Sequence, residues 1–109
     1  MVESSLPMKK MLRLTVRTRH SDNYRGRSVS DALLELFKKN GIRGATVLQG
    51  IRGYGSRGSA RIDVLGLSSN LPVVIETVDE TARIQSILSS VKEIVGENGL
   101  VTLDEVIAI

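Results

Sequence analysis

The apolar residues of this chain change their period in a fixed order, and that order leaves few folds open. In MLRLTVRT (11–18), Leu12, Leu14 and Val16 alternate with Arg13, Thr15 and Arg17, the period of a strand with one buried face. From Val29 the spacing becomes helical, with Ala32, Leu33, Leu36 and Phe37 on the same stripe. Ser28, with Asp31 in the first turn, marks the helix start, and Asn40-Gly41 marks its end. ATVLQGI (45–51) predicts a second strand, ARIDVLG (60–66) a short extended return from the loop behind it, and VVIETV (73–78) a third strand. Asp79 stands where it would cap a second helix, whose stripe is Ile84, Ile87, Leu88, Val91, Ile94 and Val95. GENG (96–99) breaks that helix, and LVTLDEVIAI (100–109) reads as the last strand.

The order βαββαβ predicts an α+β, ferredoxin-like fold: a four-stranded antiparallel sheet with both helices on one face. With 109 residues the chain is expected to form a single domain around one core, residues 1–9 being flexible. The other sheet face is left open. Val73 and Ile75 point opposite to Val74 and Val78, so the third strand is apolar on both faces. That places it centrally and predicts subunit association through the open face.

Composition excludes several chemistries. There is no cysteine, hence no disulfide scaffold, thiolate metal site or Cys nucleophile. His20 is the only histidine; beside Asp22 it offers a proton-transfer pair or metal ligand, but in a polar turn (20–27) it reads as an exposed side chain, and no metal is expected. The start carries no signal-peptide pattern, and no apolar run approaches the roughly 20 residues of a membrane span. A cytoplasmic protein without membrane insertion is expected. No nucleophile–base combination stands out, so catalysis is not expected.

The net charge of +3 is mild, but it is unevenly spread. Between Glu35 and Asp63 there is no acidic residue, while Lys38, Lys39, Arg43, Arg52, Arg57 and Arg61 all lie there. Within that stretch GATVLQGIRGYGSRGSARI (44–62) interleaves glycine with arginine. Gly53 and Gly55 would let backbone N–H groups converge on a phosphate as a nest, with Ser56 and Arg57 adding donors. The same residues equally describe a flexible hairpin whose arginines are solvated. An RNA-reading sheet would also use basic residues, but it needs aromatics on its central strands. Phe37, Tyr24 and Tyr54 sit elsewhere, which ranks a nucleic-acid-binding module below the other readings.

GATV followed by GYG, then LSSNLPVVIETVDE and GLVTLDEV, resembles the small PII-like proteins grouped as domain of unknown function 190, over about residues 10 to 107. Asn70 stands where that pattern has aspartate, and Arg19-His20 where it often has Gly-Glu, while Asp22 and Gly26 match. The segment is similar, more distantly, to the approach to the T-loop in true PII signal proteins. Those are trimers of ferredoxin-like subunits that bind adenine nucleotides in clefts between neighbours, and their T-loops report the bound state. The resemblance implies a homotrimer, an adenine nucleotide as ligand with no further cofactor, and a mobile T-loop counterpart over residues 53–70. That loop would contact a partner protein such as a transporter or an enzyme.

It further implies that Thr46 lies near the adenine and that Gly53, Tyr54, Gly55, Ser56 and Arg57 form one wall of the nucleotide site. Gly96, Asn98 and Gly99 would form the opposite wall, although a helix cap and turn explain these glycines equally well. Tyr54 either stacks on a base or packs against a neighbouring subunit. Where true PII proteins carry a Gly-Asp-Gly-Lys loop, GENGLV (96–101) has no lysine, and Ile109 is not followed by their basic tail. AMP or ADP is therefore expected as ligand rather than ATP. A structural trimer without nucleotide is the alternative.

Overall fold

The computed structural model describes residues 5–61 and 70–109. Strand β1 (Lys9–Arg19) leads through two short strands, β2 (Asn23–Tyr24) and β3 (Arg27–Ser28), into helix α1 (Val29–Lys39). Strand β4 (Thr46–Gln49) is followed by a separate hairpin, β5 (Arg52–Gly55) and β6 (Gly58–Arg61). Then come β7 (Pro72–Asp79), helices α2 (Thr81–Gln85) and α3 (Leu88–Val95), and β8 (Leu100–Ala108). The main sheet has the order β4-β7-β1-β8 with every neighbouring pair antiparallel. This is the ferredoxin-like arrangement that the order of periods implies, with β7 and β1 at the centre.

The alternation in the two central strands decides which face is buried. Leu12, Leu14 and Val16 of β1 and Val73 and Ile75 of β7 form the core with α1, α2 and α3. Phe37 and Leu33 reach it from α1, Ile84 from α2, and Val91 and Val95 from α3. Helix α1 starts as its sequence indicates: the Ser28 hydroxyl accepts from the Asp31 amide at 3.1 Å. It ends at Asn40, with Gly41 at φ +74°, a conformation that disfavours any residue with a Cβ. Strand β1 begins at Lys9, two residues earlier than the alternation indicates, and the Lys9 ammonium bonds Glu80 at 2.7 Å.

Two expectations need correction. The second helix is not continuous but is divided at Ser86-Ile87. There the Ser86 hydroxyl bonds the Arg83 carbonyl at 2.7 Å, and the Ile87 amide reaches only three residues back, to Ile84 O at 3.2 Å. Both bonds tighten the turn and interrupt the ladder, yet Ile87 remains buried.

Asp79, moreover, does not cap a helix; Glu80 occupies the cap position without a side-chain bond. Asp79 ends β7 with no exposure to solvent. Its carboxylate accepts from the Arg43 amide (2.9 Å), the Glu80 amide (2.7 Å), and the guanidiniums of Arg43 (3.1 Å) and Arg83 (2.8 Å). Burial on its own would push this carboxyl upward, but those four donors outweigh it and hold the pKa at about 2. The loop before β4, the end of β7 and α2 are joined at this one side chain.

The open face is not uniformly apolar. Leu48, Val78 and Leu100 are exposed, but Arg13 crosses its middle, bonding Asp104 (2.6 and 3.0 Å) and approaching Glu76 (3.7 Å). The register pairs Arg13 with Asp104 on β8 and with Val78 on β7, and Glu76, opposite Thr15, lies diagonally from it.

Candidate functional site

After β4 the chain passes tightly over the start of β7. The Gly50 amide donates to Pro72 O at 2.7 Å. A Cβ at Gly50 would lie 2.8 Å from Pro72 Cγ, and one at Gly53 would lie 3.2 Å from it, so glycine at these positions permits close approach. The β5–β6 hairpin then turns at Ser56-Arg57, with Gly58 at φ +105°.

The phosphate nest expected at Gly53 and Gly55 does not form. Neither has a positive φ; both are extended strand residues, opposite Ala60 and Gly58. A nest needs alternating backbone handedness to turn successive amides to one side, whereas an extended strand sends them alternately to either side. Residues 62–69, the remainder of the segment expected to act as a T-loop, lie outside the described residues.

Between the hairpin and the end of the sheet is a cavity of about 440 Å³. Gly53, Tyr54, Gly55, Ser56, Arg57 and Asn98 are among the residues that line it. Pro72, Val73 and Val74 add apolar residues to the lining. Arg17, Arg19 and Arg52 line it as well as Arg57. Among the described residues neither Arg17 nor Arg52 has a carboxylate partner, while Arg19 donates to the Gly58 carbonyl. Tyr54 leaves 90% of its surface exposed. Thr46, Gly96 and Gly99 do not line this cavity. Thr46 lies in β4 opposite Glu76, and Gly96 closes α3 at φ +66°.

Arg57 is anchored as well as exposed to the cavity. Its two terminal nitrogens bond the two Asp22 oxygens at 2.7 and 2.8 Å, and Nη2 also reaches the Asn98 carbonyl at 2.9 Å. Asp22 Oδ2 accepts in addition from the Thr18 hydroxyl (2.6 Å) and the Arg19 amide (2.9 Å). The Arg57 guanidinium, against the opposing pull of burial and with help from Thr18 and Arg19, holds the Asp22 carboxyl far below the usual carboxylate range. Asp22 also borders a second space of about 350 Å³ with His20, Ser28, Ser30, Asp31 and Gln49. His20 is exposed there, and no group of three or more His, Cys, Asp or Glu side chains converges as metal ligands among the described residues.

Gly99 supports the site by packing. A Cβ there would lie 2.5 Å from Val95 Cγ1 and 3.0 Å from the Arg17 carbonyl, so the GENG turn sits directly on the end of β1. Gly99→Val is expected to destabilise the protein by about 1–3 kcal/mol through overpacking. Displacing Asn98 should also accelerate amide exchange in the hairpin. A melting temperature and hairpin exchange equal to wild type would show that the turn absorbs the side chain.

Arg17, Arg19 and Asp22 escaped the sequence-based site. The available signal was the strand period of β1, which places Arg17 on the open face; the register with β7 then brings Arg17 opposite Val74 and Arg19 opposite Pro72.

The architecture is that of the PII-like proteins. CPII from Thiomonas intermedia K12, in its structure bound to ADP and bicarbonate, resembles this chain with a TM-score of 0.73 at 12% identity, covering 95% of this chain and 93% of that one. Another structure of CPII, described as a nitrogen regulatory PII-like protein, is bound to ADP, AMP and bicarbonate and gives a TM-score of 0.69, covering 94% of this chain and 99% of that one at 12% identity. The sequence matches the family DUF190, described as Uncharacterized ACR, over residues 11–108, and the chain belongs to that family. A UPF0166 protein of Methanocaldococcus jannaschii is 39% identical over 92 residues, covering 84% of this chain and 85% of that protein. One from Aquifex aeolicus is 39% identical over 99 residues, covering 90% of each.

Proposed function

We propose that this protein is a non-enzymatic, cytoplasmic regulator of the PII-like kind. It binds an adenine nucleotide with the phosphates among Arg17, Arg19, Arg52 and Arg57, and it signals through the β5–β6 hairpin. The observation that carries this reading is the cavity beside the hairpin, which four arginines line together with Pro72, Val73 and Val74. Arginine matches phosphate geometry with two-pronged hydrogen bonds, and the exposed ring of Tyr54 offers a stacking face. The CPII structures that hold ADP and AMP support the ligand class.

The nucleotide is AMP or ADP in preference to ATP, since the GENG turn brings a carbonyl, not a lysine, toward the cavity. Arg17 and Val74 reach the cavity from the open face of the sheet. In a homotrimer packed through that face, the site would lie at a subunit boundary. The hairpin and the residues up to 70 would then report occupancy to a partner protein. No described helix is long and apolar enough to cross a membrane.

Calorimetry with AMP, ADP and ATP, together with light scattering, tests the reading. AMP and ADP are expected to saturate one site per subunit, ATP to bind more weakly, and the particle to have three chain masses. No binding heat with any of the three would overturn the nucleotide assignment. A monomer that binds ADP would confine the site to one subunit.

A further inference from the structure

Arg57 serves two anions. It lines the cavity in which the phosphates are placed, yet both of its terminal nitrogens are held by Asp22. A ligand anion and the Asp22 carboxylate therefore compete for one guanidinium. Asp22 can give it up, because the Thr18 hydroxyl and the Arg19 amide still donate to Oδ2 and keep the carboxylate solvated by the protein. The hairpin loses more. Its described side-chain ties to the rest of the fold are Arg57 to Asp22, Arg57 to the Asn98 carbonyl, and Arg19 to the Gly58 carbonyl. The first two go together when Arg57 turns away.

We propose that the Arg57–Asp22 pair is an autoinhibitory strap: Asp22 is an internal anion that holds the β5–β6 hairpin across the cavity, and a phosphate-bearing ligand opens it by taking Arg57. The inference rests on the anion-binding reading of the cavity and adds its regulation. Arg57 borders the larger space, Asp22 the smaller, and Thr18 and Arg19 border both, so parting the pair also joins the two spaces. The coupling is reciprocal: whatever free energy holds the hairpin down in the free protein is subtracted from ligand affinity.

The two partners of the strap must therefore behave alike in one measurement and oppositely in another. In ligand-free protein, amide exchange over residues 53–58 should accelerate in both Asp22→Asn and Arg57→Ala. Calorimetry with ADP and with inorganic pyrophosphate should show affinity rising about tenfold in Asp22→Asn and falling at least about tenfold in Arg57→Ala. Asp31→Asn is the control for the general field of a carboxylate, since Asp31 borders the smaller space without touching Arg57; it should leave both readouts near wild type.

Unchanged hairpin exchange in Asp22→Asn, unchanged or weaker binding by it, or an equal gain in Asp31→Asn each overturns the strap. If Asp22→Asn melts below the assay temperature, hairpin exchange in Arg57→Ala decides. The outcomes separate the strap from the nucleotide reading. Pyrophosphate binding with the opposed pattern but no ADP binding keeps the strap and removes the adenine. ADP binding indifferent to Asp22→Asn does the reverse. No binding of either probe by any variant removes both.

Discussion

Asp79→Ala is expected to lower the stability of the fold by about 3–4 kcal/mol. The carboxylate is wholly buried and satisfies two backbone amides, those of Arg43 and Glu80, besides two guanidiniums. Its removal leaves those amides without their acceptor, and hydrogen bonds to a charged group are worth about 1.5–3 kcal/mol each. The stranded-charge penalty of a fully buried pair does not apply in full, because 59% of the Arg43 side chain and 34% of that of Arg83 are exposed.

The same side chain sets an acid limb. Its pKa is about 2 in the folded protein against an ordinary 3.8. A carboxyl depressed by folding stabilises fully above its unfolded value and loses that contribution as the pH falls through the folded one. About 2 kcal/mol should therefore disappear between about pH 4 and pH 2. Asp22, also depressed, contributes in the same direction. Urea midpoints at pH 7, 4 and 2.5 should show a steep loss for wild type and a flatter one for Asp79→Ala. Equal acid limbs in the two proteins would place the acid sensitivity elsewhere.

Asp79 also shows where sequence legibility ended. An aspartate directly before a helical stripe has the local pattern of a cap. What decides its role is Arg43, 36 residues away, and no local pattern contains that. By contrast Ser28 and Asp31, or Asn40 and Gly41, act within one helical turn and were readable. The division of the second helix left no trace in its apolar stripe, because Ile84, Ile87, Leu88 and Val91 keep facing the core across the break.

The candidate site divides along the same line. Gly53 to Arg57 announce themselves by composition and do border the cavity. Arg17 and Arg19 reach it only through strand register, and Asp22, in the neighbouring space, and Asn98 join the site through Arg57, 35 and 41 residues away. The glycines were legible as a need for space, but their purpose was not. Gly50 and Gly53 clear Pro72, and Gly99 clears Val95 and β1; in none of these is the φ positive.

The largest effect on ligand binding is expected from reversing the two arginines of the cavity that have no carboxylate partner among the described residues. In the proposed site, Arg17→Glu with Arg52→Glu would remove two charge-assisted hydrogen bonds to phosphate, about 1.5–3 kcal/mol each, and would place like charge against the ligand. At about 1.4 kcal/mol per decade, ADP affinity should fall by roughly a thousandfold or more. The fold should hardly notice, because both side chains are exposed and surface substitutions of this kind usually change stability by less than about 0.5 kcal/mol. Arg17 also faces the open side of the sheet, so Arg52→Glu alone, on the hairpin, controls for any change in assembly. It should still weaken ADP by at least about tenfold. Wild-type binding should weaken with added salt, as screening of a partly exposed cationic site requires, and the double variant should have lost most of that dependence. An affinity within tenfold of wild type, at unchanged melting temperature and particle mass, would mean that the phosphates are held by other residues and that the cavity beside the hairpin serves another purpose.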